Sequence, residues 1–336
     1  MRTYTIADIA RICGVSKATV SRVVNNKDAG VGDATRQMVK DTIEELNYRP
    51  SSLARSIATS RSKTVGLVIP DVSNLFYPVI IKSVCDALEK EGYFMILANS
   101  GSDPRREADL LVSMVDMRVA GVILCSGVSN TKFLSGYKKY NIPLVAIGRS
   151  FDIDYSEASI SGNNFVGAQI ATRYLLDGGN RNLVYIDGDP AYSGVMQKKK
   201  GFEAEMNEAG KPVSAGQIFT GEHSFKYGFD TVNQLLDENR PLSGIFAGSD
   251  LIAMGVVKAL VARKVKVPEE VEVIGFDDIV LSEMMEPQLT TMHKPHEAMA
   301  RRAVEMLFQV IDGTIGDIRH ITVDPYIVVR GTTRPR

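Results

Sequence analysis

Apolar residues Ile6, Ile9, Ala10 and Cys13 recur at helical spacing, with Thr5 placed to cap the run and Gly14 to end it. Ser16 is placed to cap a second short helix, from Lys17 to about Asn25, with Val20, Val23 and Val24 on its inner side. Its outer side carries Lys17, Ala18, Ser21, Arg22 and Asn25. A third amphipathic segment, roughly Asp33 to Asn47, is expected to bury Met38, Val39, Ile43 and Leu46. Two short helices joined by a tight Gly-Val-Ser turn make a helix-turn-helix. The outer residues suit a major groove: Arg22 can fork onto guanine, Asn25 can bond bases or phosphate, and small Ala18 allows contact with a thymine methyl. The competing reading is a three-helix bundle whose outer face is only solvated.

After Arg61 the pattern changes to short apolar runs at 65–69, 94–98, 121–125, 144–147, 183–186, 216–220, 245–247 and 271–276. Between most of them lie helical-period segments, at 79–90, 105–117, 168–177, 199–209 and 251–263. Unalternating apolar strands separated by helices predict parallel sheets covered on both faces. A break at 159–164 divides the strands into two sets, so two sheets are expected. Doubly wound lobes bind ligands in a crevice at the carboxyl ends of their strands. Polar and aromatic residues stand just past those ends: Asp71 to Tyr77, Arg149, Asp187 to Lys198, Ser249-Asp250 and Asp277-Asp278.

Length sharpens the division, because 336 residues exceed one typical domain. The net charge of −1 hides an asymmetry: residues 1–62 carry +4 and the remaining 274 carry −5. That suits a small nucleic-acid-binding module on an acidic carrier. Cys13, Cys85 and Cys125 lie far apart in apolar runs and read as buried thiols in a reducing compartment. No apolar run approaches the length of a membrane span, and the first residues lack the apolar core of a secretory signal, so a cytoplasmic protein is expected. There is no G-x-x-x-x-G-K-[ST] phosphate loop and no G-x-S-x-G elbow. The four histidines (His223, His293, His296 and His320) lack metal-ligand spacing, and Pro295 interrupts the one close pair. Adjacent Asp277 and Asp278 on an extended segment point apart, which argues against a catalytic acid pair. No enzyme, cofactor or metal site is expected.

The run TIADIARICGVSKATVSRVVNN, followed by TRQMVKDTIEELNYRPSSLARSIAT, resembles the headpiece of the lactose/galactose-repressor family of bacterial regulators. The resemblance covers some fifty positions closely and continues, more sparsely, over the whole chain. It implies that Lys17 and Ala18 read the operator with Arg22 as a third reader, while Thr5, Ser16, Thr19, Ser21, Asn25 and Tyr48 mainly hold phosphates. It also implies a hinge over 50–58, including Arg55, Ile57 and Ala58, that becomes helical in the minor groove and wedges an apolar side chain between base pairs. Ile57 stands at the wedge, where leucine is usual, and a β-branched side chain is stiffer there. The loop from Lys27 to Val31 is slightly longer than the family pattern.

The resemblance further implies a periplasmic sugar-binding-protein fold crossed three times by the chain, near Ser161, Met292 and Ile321. It would return a helix from His296 to about Gln309 to the first lobe. The expected division is a headpiece at 1–49, a hinge and linker at 50–62, and an effector-binding core at 63–336. Lobe one would take 63–160 and 293–321; lobe two would take 163–290 and 322–336. Phe76 and Tyr77 would cover a ligand, Lys198 stands where the family has an arginine, and Asp277 would accept from sugar hydroxyls. Asp71, Arg149, Tyr192, His223 and Ser249 would complete the pocket. Lysine is a point charge without arginine's fork, and Gly148 and Gly162 stand where many sugar-binding relatives carry aspartates. A neutral sugar and an anionic derivative, such as a sugar acid or sugar phosphate, both remain open. The expected partners are a pseudo-palindromic operator, a small sugar-like effector and a second copy of the chain, with a dimer favoured over a tetramer. The rival is a sugar-binding transport protein, which the headpiece opposes.

Overall fold

The structure of the protein, a computed structural model, describes residues 4–25, 28–48, 62–125, 137–148 and 156–336. The hinge positions Arg55, Ile57 and Ala58, the loop residue Lys27, and the pocket candidate Arg149 lie outside the described residues. The chain forms two compact units, Met1–Lys63 and Thr64–Arg336.

In the first unit, α1 (Ile6–Ile12) opens on a capping box. The Thr5 hydroxyl accepts from the Asp8 amide at 3.3 Å, and Asp8 accepts in return from the Thr5 amide at 3.0 Å. Helix α2 (Lys17–Val24) starts at Ser16, whose Oγ accepts from the Thr19 amide at 3.0 Å. Gly14, at φ +65°, makes the turn between them. Helix α3 (Asp33–Glu45) closes a small core of Ile9, Ala10, Cys13, Val20, Val23 and Val39, with Ile43 and Leu46 at its margin. Met38 departs from the sequence expectation, being 40% exposed. Thr42 takes the inner position instead, because its hydroxyl donates to the Met38 carbonyl and accepts from Cys13 Sγ and so is buried with its hydrogen bonds made.

The second unit holds two six-stranded sheets. Lobe one orders β1 (Thr64–Ile69), β2 (Phe94–Asn99), β3 (Gly121–Cys125), β4 (Leu144–Ile147), β5 (Ala158–Gly162) and β11 (His320–Val323) as β11-β5-β4-β3-β1-β2, all parallel. Strands β3, β4 and β5 are buried at every residue because helices cover both faces. Helices α4 (Tyr77–Lys90) and α11 (His296–Ile311) pack on one face, and α5 (Pro104–Asp116) on the other.

Lobe two orders β6 (Leu183–Asp187), β7 (Ile218–Thr220), β8 (Gly244–Ala247), β9 (Glu272–Asp277), β10 (Thr290–His293) and β12 (Tyr326–Val328) as β12-β10-β9-β8-β6-β7. Only β12 runs antiparallel, opposite β10. Helices α6 (Asn164–Asp177) and α7 (Ser193–Glu208) cover one face. Helices α8 (Phe225–Asp237) and α9 (Asp250–Ala262) cover the other. The short α10 (Leu281–Met284) follows β9.

The chain passes between lobes at Asn163, at Lys294-Pro295 and at Asp324-Pro325, each time on leaving a strand. The expected break at 159–164 therefore contains a strand, β5, as well as a crossing. Its small polar residues hid it. Buried Ser159 bonds His320 Nδ1 on β11 at 2.8 Å, so the strand needs no continuous apolar run.

Candidate functional site

The headpiece presents α2 with Lys17, Ala18, Arg22 and Asn25 exposed and Thr19 and Ser21 half-buried. Among the described residues neither Lys17 nor Arg22 carries an ion pair, so both cations can reach a nucleic acid. Asn25 folds back, its Nδ2 donating to the Ser21 carbonyl at 2.8 Å. That amide must swing out before it touches a base. Tyr48 is half-buried and packs against the headpiece core.

The second site lies at the carboxyl ends of the strands, where residues of both lobes meet. From lobe one come Asp71, past β1, and the aromatic pair Phe76 and Tyr77 at the start of α4, rings 4.9 Å apart and edge-to-face. Asp71 accepts from the Ser73 amide and hydroxyl, which fixes the loop. Burial, then Cys125, Asp277, Tyr192 and Asp71 nearby, pushes the Tyr77 phenol well above its ordinary pKa. It stays a neutral donor, facing carboxylates from both lobes.

From lobe two, Lys198 on α7 is buried and pairs with Asp187 at 3.0 Å, also donating to the Gly248 carbonyl. Its ammonium lies 5.0 Å from the ring centre of Phe276. Lys294 lies 4.9 Å from the same ring and 2.8 Å from Asp277 Oδ1. Burial alone would raise the Asp277 carboxyl, but Lys294 and then Lys198 hold it below the ordinary range. Asp277 and Asp278 sit at φ 119° and 58°, left-handed backbone that non-glycine residues rarely adopt. They face different partners: Asp278 pairs with His293 and Arg330, both at 2.7 Å. His223 is exposed beside Gly188, in the field of Asp187, Lys198, Asp277 and Lys294. Tyr192 precedes α7 and is half-buried.

The loop that carries Asp277 rests on a residue that sequence reasoning placed at a strand end without a role. Buried Asp250 accepts from the Ile279 amide at 2.8 Å, the Ser282 hydroxyl at 2.7 Å and the Thr291 hydroxyl. Gly275 leaves room for it, since a Cβ there would lie 2.3 Å from Asp250 Oδ1. Burial, then Asp277, pushes the Asp250 carboxyl up to about 6. A raised acid binds its proton more tightly in the folded state, so stability falls as pH rises from about 4 through 6. Denaturation at stepped pH should show wild type losing stability across that window relative to Asp250→Asn. Parallel curves for the two proteins would refute this.

Ser249 differs from the expectation of a ligand contact: it is 1% exposed and its hydroxyl caps α9, accepting from the Ile252 amide at 3.3 Å. His293 and His296 do not converge, their rings being 6.4 Å apart. His296 Nε2 lies 3.1 Å from the Asp277 carbonyl, which only accepts, so that nitrogen carries the proton. Burial, then Lys294, lowers this imidazole to about 3, and it is neutral at pH 7. Lys294, Phe276 and the Asp187 partner of Lys198 were not assigned roles from sequence. Their only signal is position at or just past a strand, and β10, apolar only at Met292, carries no strand pattern of its own. Among the described residues no group of three or more His, Cys, Asp or Glu is placed to hold a metal. No described helix is long and apolar enough to cross a membrane.

Comparison with known proteins finds relatives of both parts of the chain. Residues 5–51 match the bacterial regulatory proteins, lacI family, and residues 172–333 match the periplasmic binding protein-like domain. Catabolite control protein A of Priestia megaterium is 34% identical over 332 residues, covering 94% of this chain and 96% of its own. The ribose operon repressor of Escherichia coli K12 is 32% identical over 329 residues, covering 98% and 99%. The solved transcriptional regulator CelR–cellobiose complex superposes with a TM-score of 0.73 at 27% identity, covering 98% of this chain and 99% of that one. A helix-turn-helix with unpaired cations on its outer face, joined to a two-lobed core, and full-length relatives above 30% identity lead to one conclusion: the chain belongs to the lacI family of bacterial regulatory proteins.

Proposed function

We propose that the chain is a cytoplasmic repressor of a carbohydrate-utilisation operon, without enzymatic activity, whose operator affinity is set by a sugar-like effector in the cleft. The proposed division is a headpiece at 1–49, a hinge at 50–62 and a core at 63–336. The observation that carries the effector reading is the cleft's chemistry. The half-buried rings of Phe76 and Tyr77 stand near two ion pairs, Lys198–Asp187 and Lys294–Asp277, with fully buried Phe276 beneath both lysines. Aromatic rings and charged hydrogen-bonding groups together suit an oxygen-rich ring. The CelR structure, solved with cellobiose, supports the same reading.

Both lysines are already matched by carboxylates, and Asp71 adds a further negative charge. The two described lysines are thus each offset by a carboxylate, which favours the neutral sugar over the anionic derivative left open by sequence. A second copy of the chain would cover exposed apolar residues on the sheet edge and lobe-two face: Phe94 (75% exposed), Leu97, Val280 and Met284 (71%). Two-fold symmetry then predicts an inverted-repeat operator. Effector binding changes operator affinity only as far as the effector prefers one lobe arrangement.

Selection from a random duplex library should return an inverted repeat, and recovery of no repeat would overturn the operator reading. On that site, Ile57→Ala is expected to weaken binding about tenfold, or about 1.4 kcal/mol. The check is a titration at fixed salt, and an unchanged dissociation constant would remove Ile57 from the wedge.

A further inference from the structure

Lys294 lies where the chain leaves β10 for α11 and touches both lobes. Its Nζ is 2.8 Å from Asp277 Oδ1 and 4.9 Å from the ring centres of both Phe276, in lobe two, and Phe76, in lobe one. The stem runs against Gly162, just before the first crossing. A Cβ on Gly162 would come within 2.8 Å of Lys294 Cδ and 3.3 Å of Cγ. The missing side chain at 162 is therefore the space the lysine occupies, and the two positions act as one unit. The Lys294 side chain is 13% exposed. An ammonium has three donors, and the rings attract its charge without accepting a conventional hydrogen bond. Asp277 is its ion-pair partner among the described residues, which leaves donors for a ligand oxygen.

We propose that Lys294 is a specificity residue: with Asp277 it forms a donor–acceptor pair for two neighbouring hydroxyls of a neutral sugar, while the Asp277 carboxylate disfavours the corresponding sugar acid or phosphate beside it. The proposal rests on the cleft being the effector site. One hydroxyl donates to the Asp277 carboxylate and its neighbour accepts from the ammonium, so both new bonds are charge-assisted. An added anion would instead lie beside Asp277 with the lysine charge already matched.

The test is calorimetric titration of the full chain with D-ribose, D-xylose, D-glucose and D-galactose, and with D-gluconate, D-galacturonate and glucose 6-phosphate. Wild type should bind at least one neutral sugar and none of the anions more tightly. Lys294→Met should weaken that sugar by more than about tenfold, and Lys294→Gln, which keeps an N–H donor without the charge, should fall between wild type and Lys294→Met. Gly162→Ala, which displaces the stem and leaves the charge, should weaken the same sugar, and it decides the matter if Lys294→Met does not fold. Unchanged affinity in Lys294→Met and Gly162→Ala, or binding of anions alone, overturns the proposal and leaves the cleft as the effector site. No binding of any probe by wild type up to millimolar concentrations overturns the sugar reading of the cleft itself, and this proposal with it.

Discussion

Lys198→Met is expected to lower the stability of the core by about 3–5 kcal/mol, the usual cost of removing one partner of a buried ion pair. The cause lies in Asp187, whose side chain is fully buried while that of Lys198 is 9% exposed. Without the ammonium, the carboxylate keeps the Tyr185 hydroxyl and the Gly188 amide, both neutral donors. Neutral donors do not offset the cost of holding a charge out of water. Urea denaturation of the full chain measures the loss. Adding Asp187→Asn to Lys198→Met should restore most of it, because the partner no longer carries a charge. A single variant within 1 kcal/mol of wild type would show that the pair is not what holds this end of the cleft.

The second large effect is expected at the opposite end of lobe two. Glu272 begins β9, is fully buried, and bonds Asn180 together with Arg334 and Arg336 (Nε at 3.2 Å and a terminal nitrogen at 2.6 Å, respectively). Arg336 also lies over the Tyr174 ring, 4.3 Å from its centre. The double variant Arg334→Ala/Arg336→Ala leaves the carboxylate with Asn180 and the Arg334 amide alone. A loss of about 3 kcal/mol follows, a fall in Tm of roughly 6–12 °C for a unit of this size. Burial tends to raise the Glu272 carboxyl, but Arg334, then Asn180 and Arg336, outweigh it and hold its pKa low. Its stabilisation is therefore present at neutral pH and lost as pH falls through the carboxylate range. Wild type and the double variant should converge in acid, and a gap that persists there would sink the charge explanation.

The sequence showed most of the sheets because parallel strands covered on both faces must be apolar along their length. Strands β3 and β4, Gly121–Cys125 and Leu144–Ile147, match the apolar runs residue for residue. What it hid has one cause. Strand β5 (Ala-Ser-Ile-Ser-Gly) is buried through a polar pairing to a residue 161 positions away, and no local pattern carries such a partner. The headpiece misreading at Met38 is similar, since Thr42 becomes an inner residue only through its bonds to Met38 and Cys13. In the cleft, strand-end position pointed to Asp71, Phe76, Tyr77 and Asp277. The matching of Lys198 by Asp187 depends on a helix folding back over its own strand, so the sequence left the lysine looking like a free cation. Lys294 carries no local signal because the strand before it, Thr290–His293, is four residues long and apolar only at Met292.

The threefold passage between lobes has a consequence for how the chain is made. Lobe one is unfinished until His320–Val323 has been synthesised, because β11 borders β5 and α11 covers the apolar face that β3, β4 and α4 share. A nascent chain emerging from the ribosome can complete its headpiece early, from contacts within some forty residues. Its first sheet, however, must wait with Val145, Ile147 and Ile160 uncovered while nearly all of lobe two is added. Such a chain is an aggregation-prone intermediate by construction. Both lobes then close almost together, and the segments that link them are also those that bring Lys294 to the cleft.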